Sequence, residues 1–235
     1  MNGYSKLEAA GFSKTAGDKL RKDEADQYLF GLIPERFNGF ILDLCCRNGK
    51  YSDVLCVRGA EMVVSMDASM DMLTQVKNRQ NEKALEKSYP VQADMRNLPI
   101  KAQRFDFILF RHGLAYEPNK GVPDIMLSLK KSLKDGGVIL MATGIIDIDG
   151  GITNEERESI QNKPVPLVLQ VGDQKVELGN YPITTEDHLR AFHKAELEVD
   201  SCRYFPPDGV TIKEDYEFKN YITALSAAVF QLSLT

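Results

Sequence analysis

Cysteine is scarce in this chain, basic residues do not predominate and no long apolar run occurs, and each absence removes a class of protein. Four cysteines stand among 235 residues, two of them adjacent at Cys45 and Cys46. They are too few and too awkwardly spaced for a disulfide framework, so a reducing, cytoplasmic setting is expected. The opening residues 1–14 hold no apolar core of the signal-peptide kind, and the uncharged run 221–235 is interrupted by Ser, Thr and Gln. Neither export nor membrane spanning is expected. Lys plus Arg number 29 against 34 Asp plus Glu, a net charge of −5. That field repels polyanions and no basic tract offsets it, so no nucleic-acid partner is expected. No repeat, low-complexity tract or Pro/Ser-rich linker divides the chain.

What is present is an ordinary soluble composition, 43% hydrophobic and 27% charged, and a length that favours one domain. Short apolar runs alternate with longer amphipathic stretches. Phe40-Ile-Leu-Asp-Leu44 predicts a first strand and 50–58 a helix with Val54 and Leu55 on its apolar side. Residues 62–66 predict a second strand, 70–87 a helix through Met72, Leu73 and Val76, 89–93 a third strand and 105–110 a fourth. Residues 124–134 predict a helix, with Ile125, Leu129 and Leu133 four apart and the Gly136-Gly137 pair as its stop. A fifth strand follows at 138–142. Such alternation, with near-continuous apolar strands, predicts a parallel sheet covered on both faces.

Past residue 144 the rhythm changes. Residues 147–151 read as a turn-rich exit, 166–178 as a hairpin turning at Gly172-Asp173, and Thr184-Thr-Glu-Asp-His188 as a capped helix start. His188 and His193 read as surface residues of that helix. Two last strands, 196–204 and 221–232, are joined through Pro206-Pro207-Asp208-Gly209. The join is too short for a parallel crossover, so an antiparallel pair at the sheet edge is expected.

Ligands of open parallel sheets bind outside the carboxyl ends of the strands, and those ends carry Asp43, Asp67, Asp94 and Arg111-His112-Gly113. An acid at the end of the second strand is placed to accept from both ribose hydroxyls; the alternative is that Asp67 caps the helix starting near Ser69. The loop Asp43-Leu-Cys-Cys-Arg-Asn-Gly49 has a single glycine. A pyrophosphate cradle wants G-x-G-x-x-G, so a nicotinamide or flavin site is disfavoured.

Residues 40–60, 63–73, 92–100, 104–113 and 129–140, in that order and spacing, resemble a class I S-adenosylmethionine-dependent methyltransferase. The resemblance covers roughly 36–144, with weaker similarity in the last two strands. It implies a Rossmann-like α/β fold: a seven-stranded, mostly parallel sheet with helices on both faces and an antiparallel last strand. It also implies S-adenosylmethionine as cofactor. Asp43 and Gly49 would then shape the loop at the methionine end of the cofactor, Asp67 would take the ribose hydroxyls, and Ala68 and Met72 would flank the adenine. Asp94, with the Met95 backbone beside it, would accept from the adenine amino group, and Phe110, Arg111, His112 and Gly113 would line the sulfonium and the acceptor.

Two departures stand in the loop. Cys45 and Arg47 occupy the family's first two glycine places, where glycine permits close approach or positive φ. Three readings of Arg47 stand open: it pairs with the cofactor's carboxylate, points to solvent, or blocks the pocket.

Methyl transfer from a sulfonium needs mainly alignment. For a hydroxyl acceptor, His112 is the best-placed base, with a strand-end hydrogen bond as its alternative role, and Tyr116 would shape the acceptor pocket. No Cys/His cluster suggests a metal, and Asp147 and Asp149 read as a solvated turn. Residues 1–35 would form a helical cap, with Tyr4 as a lid residue or the segment packed on the sheet edge. Residues 36–235 would be the catalytic domain, with 145–183 as its substrate-side insertion or lid.

The expected activity is methylation of a small molecule by a monomer or homodimer, since no N-P-P-Y-type tetrapeptide follows the fourth strand. The alternatives are a non-catalytic binding or regulatory protein of this fold, or an enzyme using a carboxylated adenosyl cofactor that Arg47 would pair with.

Overall fold

The computed structural model describes residues 24–83, 86–148, 153–171, 174–205, 210–215, 217 and 222–234. Tyr4, Asp149, Gly172-Asp173 and Pro206 to Gly209, named above, lie outside the described residues. The chain runs through α1 (Glu24–Leu32), β1 (Phe40–Leu44), α2 (Lys50–Val57), β2 (Met62–Asp67), α3 (Met70–Lys83), β3 (Ser88–Gln92), β4 (Phe105–Arg111), α4 (Val122–Ser132) and β5 (Leu133–Ile148). It continues with α5 (Asn154–Gln161), β6 (Val165–Val171), β7 (Gln174–Asn180), α6 (Thr185–Lys194), β8 (Leu197–Phe205), β9 (Val210–Ile212) and β10 (Ile222–Leu234).

Seven strands form the main sheet in the order β3-β2-β1-β4-β5-β10-β8. β1 pairs in parallel with β2 and β4, β2 with β3, and β4 with β5, while β10 runs antiparallel to both β5 and β8. The expected antiparallel pair is therefore present, with β10 inside the sheet and β8 at its edge. The order turns back at β1 and β4, which opens a crevice at their carboxyl ends.

Alternation along each strand divides the core. Leu42 and Leu44, Ile108 and Phe110, Ile139 and Met141, and Ala228 and Phe230 pack under α4 and α6. Ile41, Phe107, Leu109, Leu140 and Val229 pack on the other face with Ala25 and Leu29 of α1 and Leu55 of α2. Asp43 and Arg111, in step with Ile41 and Leu109, belong to the α1/α2 face. Fully burying one such aliphatic side chain is worth about 1.5–3 kcal/mol.

Three expected features are revised. α4 ends at Ser132, and the glycine pair lies inside the long β5: Phe105 faces Leu133 and Phe107 faces Val138, so residues 134–137 bulge between them with Gly136 at φ +74°. β5 also extends to Ile148, because β10 pairs with it from Val138 to Ile148. The capped helix starts as read: Thr184 Oγ accepts Asp187 N–H and Asp187 Oδ2 accepts Thr184 N–H, each at 3.2 Å. His193 is exposed, but His188 is fully buried and not a surface residue. It shares the stripe His188, Ala191, Phe192, Ala195 that faces the core, with its ring 5.8 Å from that of Phe230.

Residues 153–171 and 174–183 add α5 and the hairpin β6–β7, whose antiparallel pairing runs from Val165–Asn180 to Val171–Gln174. β9 adds a third strand beside β6. This small sheet is fastened toward the crevice: Tyr181 N–H donates to Ala115 O at 2.8 Å, just beyond the end of β4.

Candidate functional site

The link from β1 to α2 turns sharply. Cys45, Arg47 and Gly49 all have positive φ, 56°, 53° and 76°. The first two adopt the left-handed geometry without being glycine, at a cost of about 1–2 kcal/mol per residue. Hydrogen bonds hold them there: Cys46 N–H donates to Met66 O and Gly49 N–H to Cys46 O, each at 3.0 Å. Arg47 N–H donates to Asp67 Oδ2 and Ser69 N–H to Asp67 Oδ1, each at 2.9 Å. Glycine at 49 serves a close approach as well, since a Cβ there would lie 3.0 Å from Val76 Cγ2. At Gly113 a Cβ would lie 2.7 Å from Cys45 Sγ and 2.3 Å from the Phe110 ring. The loop is thus pressed against the end of β4.

The structure also separates the two roles open to Asp67. The helix cap is Ser69, whose Oγ accepts Met72 N–H at 3.3 Å. Asp67 instead bridges two backbone segments, and each of its oxygens keeps acceptor capacity for a further donor.

Asp43 is 1% exposed. Burial pushes its carboxyl up to about 7, although Ser52, which donates to Oδ2 at 2.6 Å, and the Arg111 charge act the other way. Burial likewise raises the thiols of Cys45 and Cys46, with Asp67 and Asp43 adding to it, so neither is a thiolate nucleophile. His112, half-buried and at φ 55°, is held well below its ordinary value by burial and by the charges of Arg47 and Arg111. Its imidazole is thereby kept neutral, and the same causes make it a weak proton acceptor.

The residues of β4 diverge by alternation. The Phe110 side chain is buried on the α4/α6 face. The Arg111 side chain ion-pairs with Asp26 of α1, both nearly buried, and its guanidinium carbon lies 3.9 Å from the centroid of the Tyr51 ring. His112 and Gly113 are left at the loop. Beside β2 and β3, Ala68 is exposed, Met72 buried and Met95 half-buried. Asp94 is gripped by Arg96, Nε to Oδ1 at 2.8 Å and Nη2 to Oδ2 at 2.7 Å, which holds its carboxyl below the usual range. Tyr116 is half-buried in the 3-10 turn after Gly113.

Sequence reasoning missed Arg96, Asp26 and Ser52. Arg96 sits two residues from Asp94, a legible signal; Ser52 lies nine residues from Asp43 on the next helix and Asp26 lies 85 residues from Arg111, and neither left one.

Among the described residues no group of three or more His, Cys, Asp or Glu is gathered to hold a metal, and no helix is long and apolar enough to cross a membrane. A cavity of about 250 Å3 opens at the opposite end of β4, beside Phe37, Asp106 and Phe107, away from this loop.

The residues present fit an adenosyl cofactor. The backbone is turned as the glycine loop requires, an acid with spare acceptor capacity ends β2, and a second buried acid ends β1.

Residues 41–137 match a family model described as a methyltransferase domain. A tRNA U34 carboxymethyltransferase of Pseudomonas paraeruginosa is 31% identical over 109 residues, 46% of this chain and 33% of that protein. One from Azotobacter vinelandii is 29% identical over 111 residues, 47% and 34% of the respective chains. The match spans about a third of the length of these curated relatives. In fold, an S-adenosylmethionine-dependent methyltransferase of Clostridium acetobutylicum covers 98% of both chains at a TM-score of 0.63 and 16% identity. The PH0226 protein of Pyrococcus horikoshii covers 99% of this chain and 100% of its own at 0.67 and 14%. Strand order and loop geometry agree with these likenesses: residues 41–137 are similar to a methyltransferase domain, and the chain has the fold of the S-adenosylmethionine-dependent methyltransferases.

Proposed function

We propose that the chain transfers a methyl group from S-adenosylmethionine to a small-molecule acceptor. The observation that carries this reading is the left-handed loop Cys45 to Gly49, pinned by Arg47 N–H to Asp67 and pressed against Gly113 beside His112. The cofactor supplies a methyl group already activated on a sulfonium, so the protein's task is to align, to exclude water and to manage one proton.

Asp67 receives the ribose hydroxyls on its remaining lone pairs, and Asp43 faces the methionine end. Ala68, Met72, Asp94 and Met95 border the adenine. His112, neutral and close to the loop, accepts the hydrogen bond of a hydroxyl or amine acceptor and takes its proton as methylation makes the acceptor cationic and the sulfonium loses its charge. Tyr116, α5 and the hairpin β6–β7 form the acceptor side, and α1 closes the other side through Asp26 and Arg111. The net charge of −5 favours a metabolite over a polyanion.

A second reading has its own support. The relatives' names specify carboxymethyl transfer to tRNA, and Arg47 places a cation in the cofactor loop, where a carboxylated donor would need one.

Calorimetric titration with S-adenosylmethionine, S-adenosylhomocysteine and the carboxylated sulfonium separates these readings. Micromolar binding of the first two by wild type supports methyl transfer. Selective binding of the carboxylated donor that Arg47→Gly abolishes favours carboxymethyl transfer. Binding only after Arg47→Gly marks a blocked pocket and a non-catalytic protein, and no binding by either form sinks the cofactor assignment. Methylation of a metabolite pool but not of bulk tRNA then decides the acceptor class.

A further inference from the structure

Behind the cofactor loop lies a row of buried hydroxyls that the proposed reaction leaves unused. Ser52 Oγ of α2 donates to Asp43 Oδ2 at 2.6 Å. Ser65 Oγ of β2 donates to Ser52 Oγ at 2.8 Å, and Ser65 and Ser88 of β3 share a bond of 2.8 Å. The exposures of Asp43, Ser52, Ser65 and Ser88 are 1%, 1%, 0% and 6%. Ser65 stands directly opposite Asp43 in the β1–β2 register.

A serine hydroxyl has one proton. That of Ser52 goes to Asp43 and that of Ser65 to Ser52, so the last bond uses the proton of Ser88. All three dipoles therefore run head to tail from β3 toward one carboxylate. Bonds in such a chain reinforce one another, by roughly 10–30% each. A protonated Asp43 would weaken the whole series, because a neutral carboxyl oxygen is a poorer acceptor from Ser52 than a carboxylate oxygen.

We propose that Ser52, Ser65 and Ser88 are positioning residues that favour the ionised form of Asp43 and hold it oriented toward the cationic amino group at the methionine end of the cofactor. The proposal rests on reading this loop as the S-adenosylmethionine site. Burial alone would drive Asp43 toward the neutral acid, and the other charged or titratable groups around it do not agree in sign. Arg111 of β4, itself held by Asp26 of α1, favours the anion; Asp67 at the end of β2 opposes it. Tyr51 and Cys56 of α2 and Cys45 and Cys46 of the loop are raised in pKa with Asp43 among the causes, so they stay uncharged. The hydroxyl chain supplies the oriented donors that favour the anion without adding a charge beside a sulfonium.

Carboxyl 13C NMR on the ligand-free full chain tests this directly, with the Asp43 signal identified by its loss in Asp43→Asn. Ser52→Ala should raise the Asp43 midpoint by about one pH unit or more, as loss of a hydrogen bond to a charged group requires. Ser65→Ala should raise it by a few tenths of a unit, Ser88→Ala by less, and Ser65→Thr should restore it. Should an alanine variant unfold, Ser65→Cys keeps the volume with a weak donor and gives the same small rise.

S-adenosylhomocysteine affinity should fall as pH drops through the midpoint, with the variant curves displaced along the pH axis and converging at high pH. Coincident midpoints, or equal shifts from all three alanine variants, overturn the proposal. Graded midpoints with no binding of S-adenosylhomocysteine at any pH would leave the chain's action on Asp43 standing and remove the cofactor reading instead.

Discussion

Asp67 Oδ2 accepts the backbone N–H of Arg47 at 2.9 Å, so the acid that ends β2 holds the loop that follows β1. Its other oxygen takes Ser69 N–H at the same distance. One carboxylate thus keeps the loop after β1 and the start of α3 in register, and residue 47 is held through its main chain, whatever its side chain. Asp67→Ala should weaken S-adenosylhomocysteine binding by about 1.5–3 kcal/mol, the range for hydrogen bonds to a charged group. Asp67→Asn should fall between, because the amide keeps one acceptor. Calorimetry measures this, and equal affinities in all three proteins would leave Asp67 a structural bridge only.

The strain in the loop has its own consequence. Arg47 at φ 53° and Cys45 at φ 56° occupy the region glycine enters freely. Relief of about 1–2 kcal/mol at either position is offset by the larger entropy glycine loses on folding, about 0.5–1 kcal/mol. Arg47→Gly and Cys45→Gly should therefore be as stable as wild type or up to about 1.5 kcal/mol more stable, whereas Arg47→Val should lose at least about 1 kcal/mol through its β-branch. Urea midpoints at unchanged slope report this; a large loss on Arg47→Gly would show that its side chain carries the loop.

The Asp26–Arg111 pair fastens α1 to the end of β4, with the side chains 7% and 10% exposed. Removing one partner leaves a buried charge, so Arg111→Met should cost about 3–5 kcal/mol, and the double variant Asp26→Leu/Arg111→Met should recover most of it. Because the pair is buried, 0.5 M salt should change wild-type stability little compared with the single substitution. Additive losses in the double variant would show that the two residues act independently.

His188 predicts an acid dependence. Its folded value is lowered to about 4 by burial, against which the Thr184 carbonyl, 2.9 Å from Nδ1, acts only partly. Below the unfolded value near 6.5 the unfolded chain takes up a proton that the folded chain refuses, so stability is lost as pH falls from about 6.5 toward 4. Asp43 works in the opposite direction: with its folded carboxyl raised to about 7, its contribution declines as pH rises from about 4 to 7. The difference between wild type and His188→Phe isolates the histidine. Between pH 7 and 4.5 that difference should shrink wild-type stability by about 2–3 kcal/mol relative to the variant. Parallel stability curves would mean that His188 is protonated, or open to water, in the folded protein.

Much of this was legible along the chain because it is local. The β1-to-β5 alternation, the Thr184 cap and the acids at the strand ends depend on residues a few positions apart, and periodicity reports such neighbours. His188 was misplaced because a histidine in an apolar stripe has the same spacing as a polar face displaced by one residue. The glycine pair was misread because Gly136-Gly137 suits a helix stop and a strand bulge equally well; pairing with β4 and β10 selects the bulge.

By itself the sequence determined the fold, the loop between β1 and α2, and the three acids at or just past the strand ends, since all of these are patterns of residue type at fixed spacing. Only the tertiary structure decided what those residues do to one another. Cys45 and Arg47 keep the turn glycine would have made, because Asp67, twenty residues beyond Arg47, pins its main chain. Arg111 turns to α1 and Phe110 to the core, because neighbouring residues of a strand face opposite sides of the sheet. Asp43 meets Ser52, Ser65 and Ser88, because parallel packing brings α2, β2 and β3 side by side. Hydrogen bonds and ion pairs across such distances are properties of packing, and packing is a consequence of the whole chain rather than of any segment.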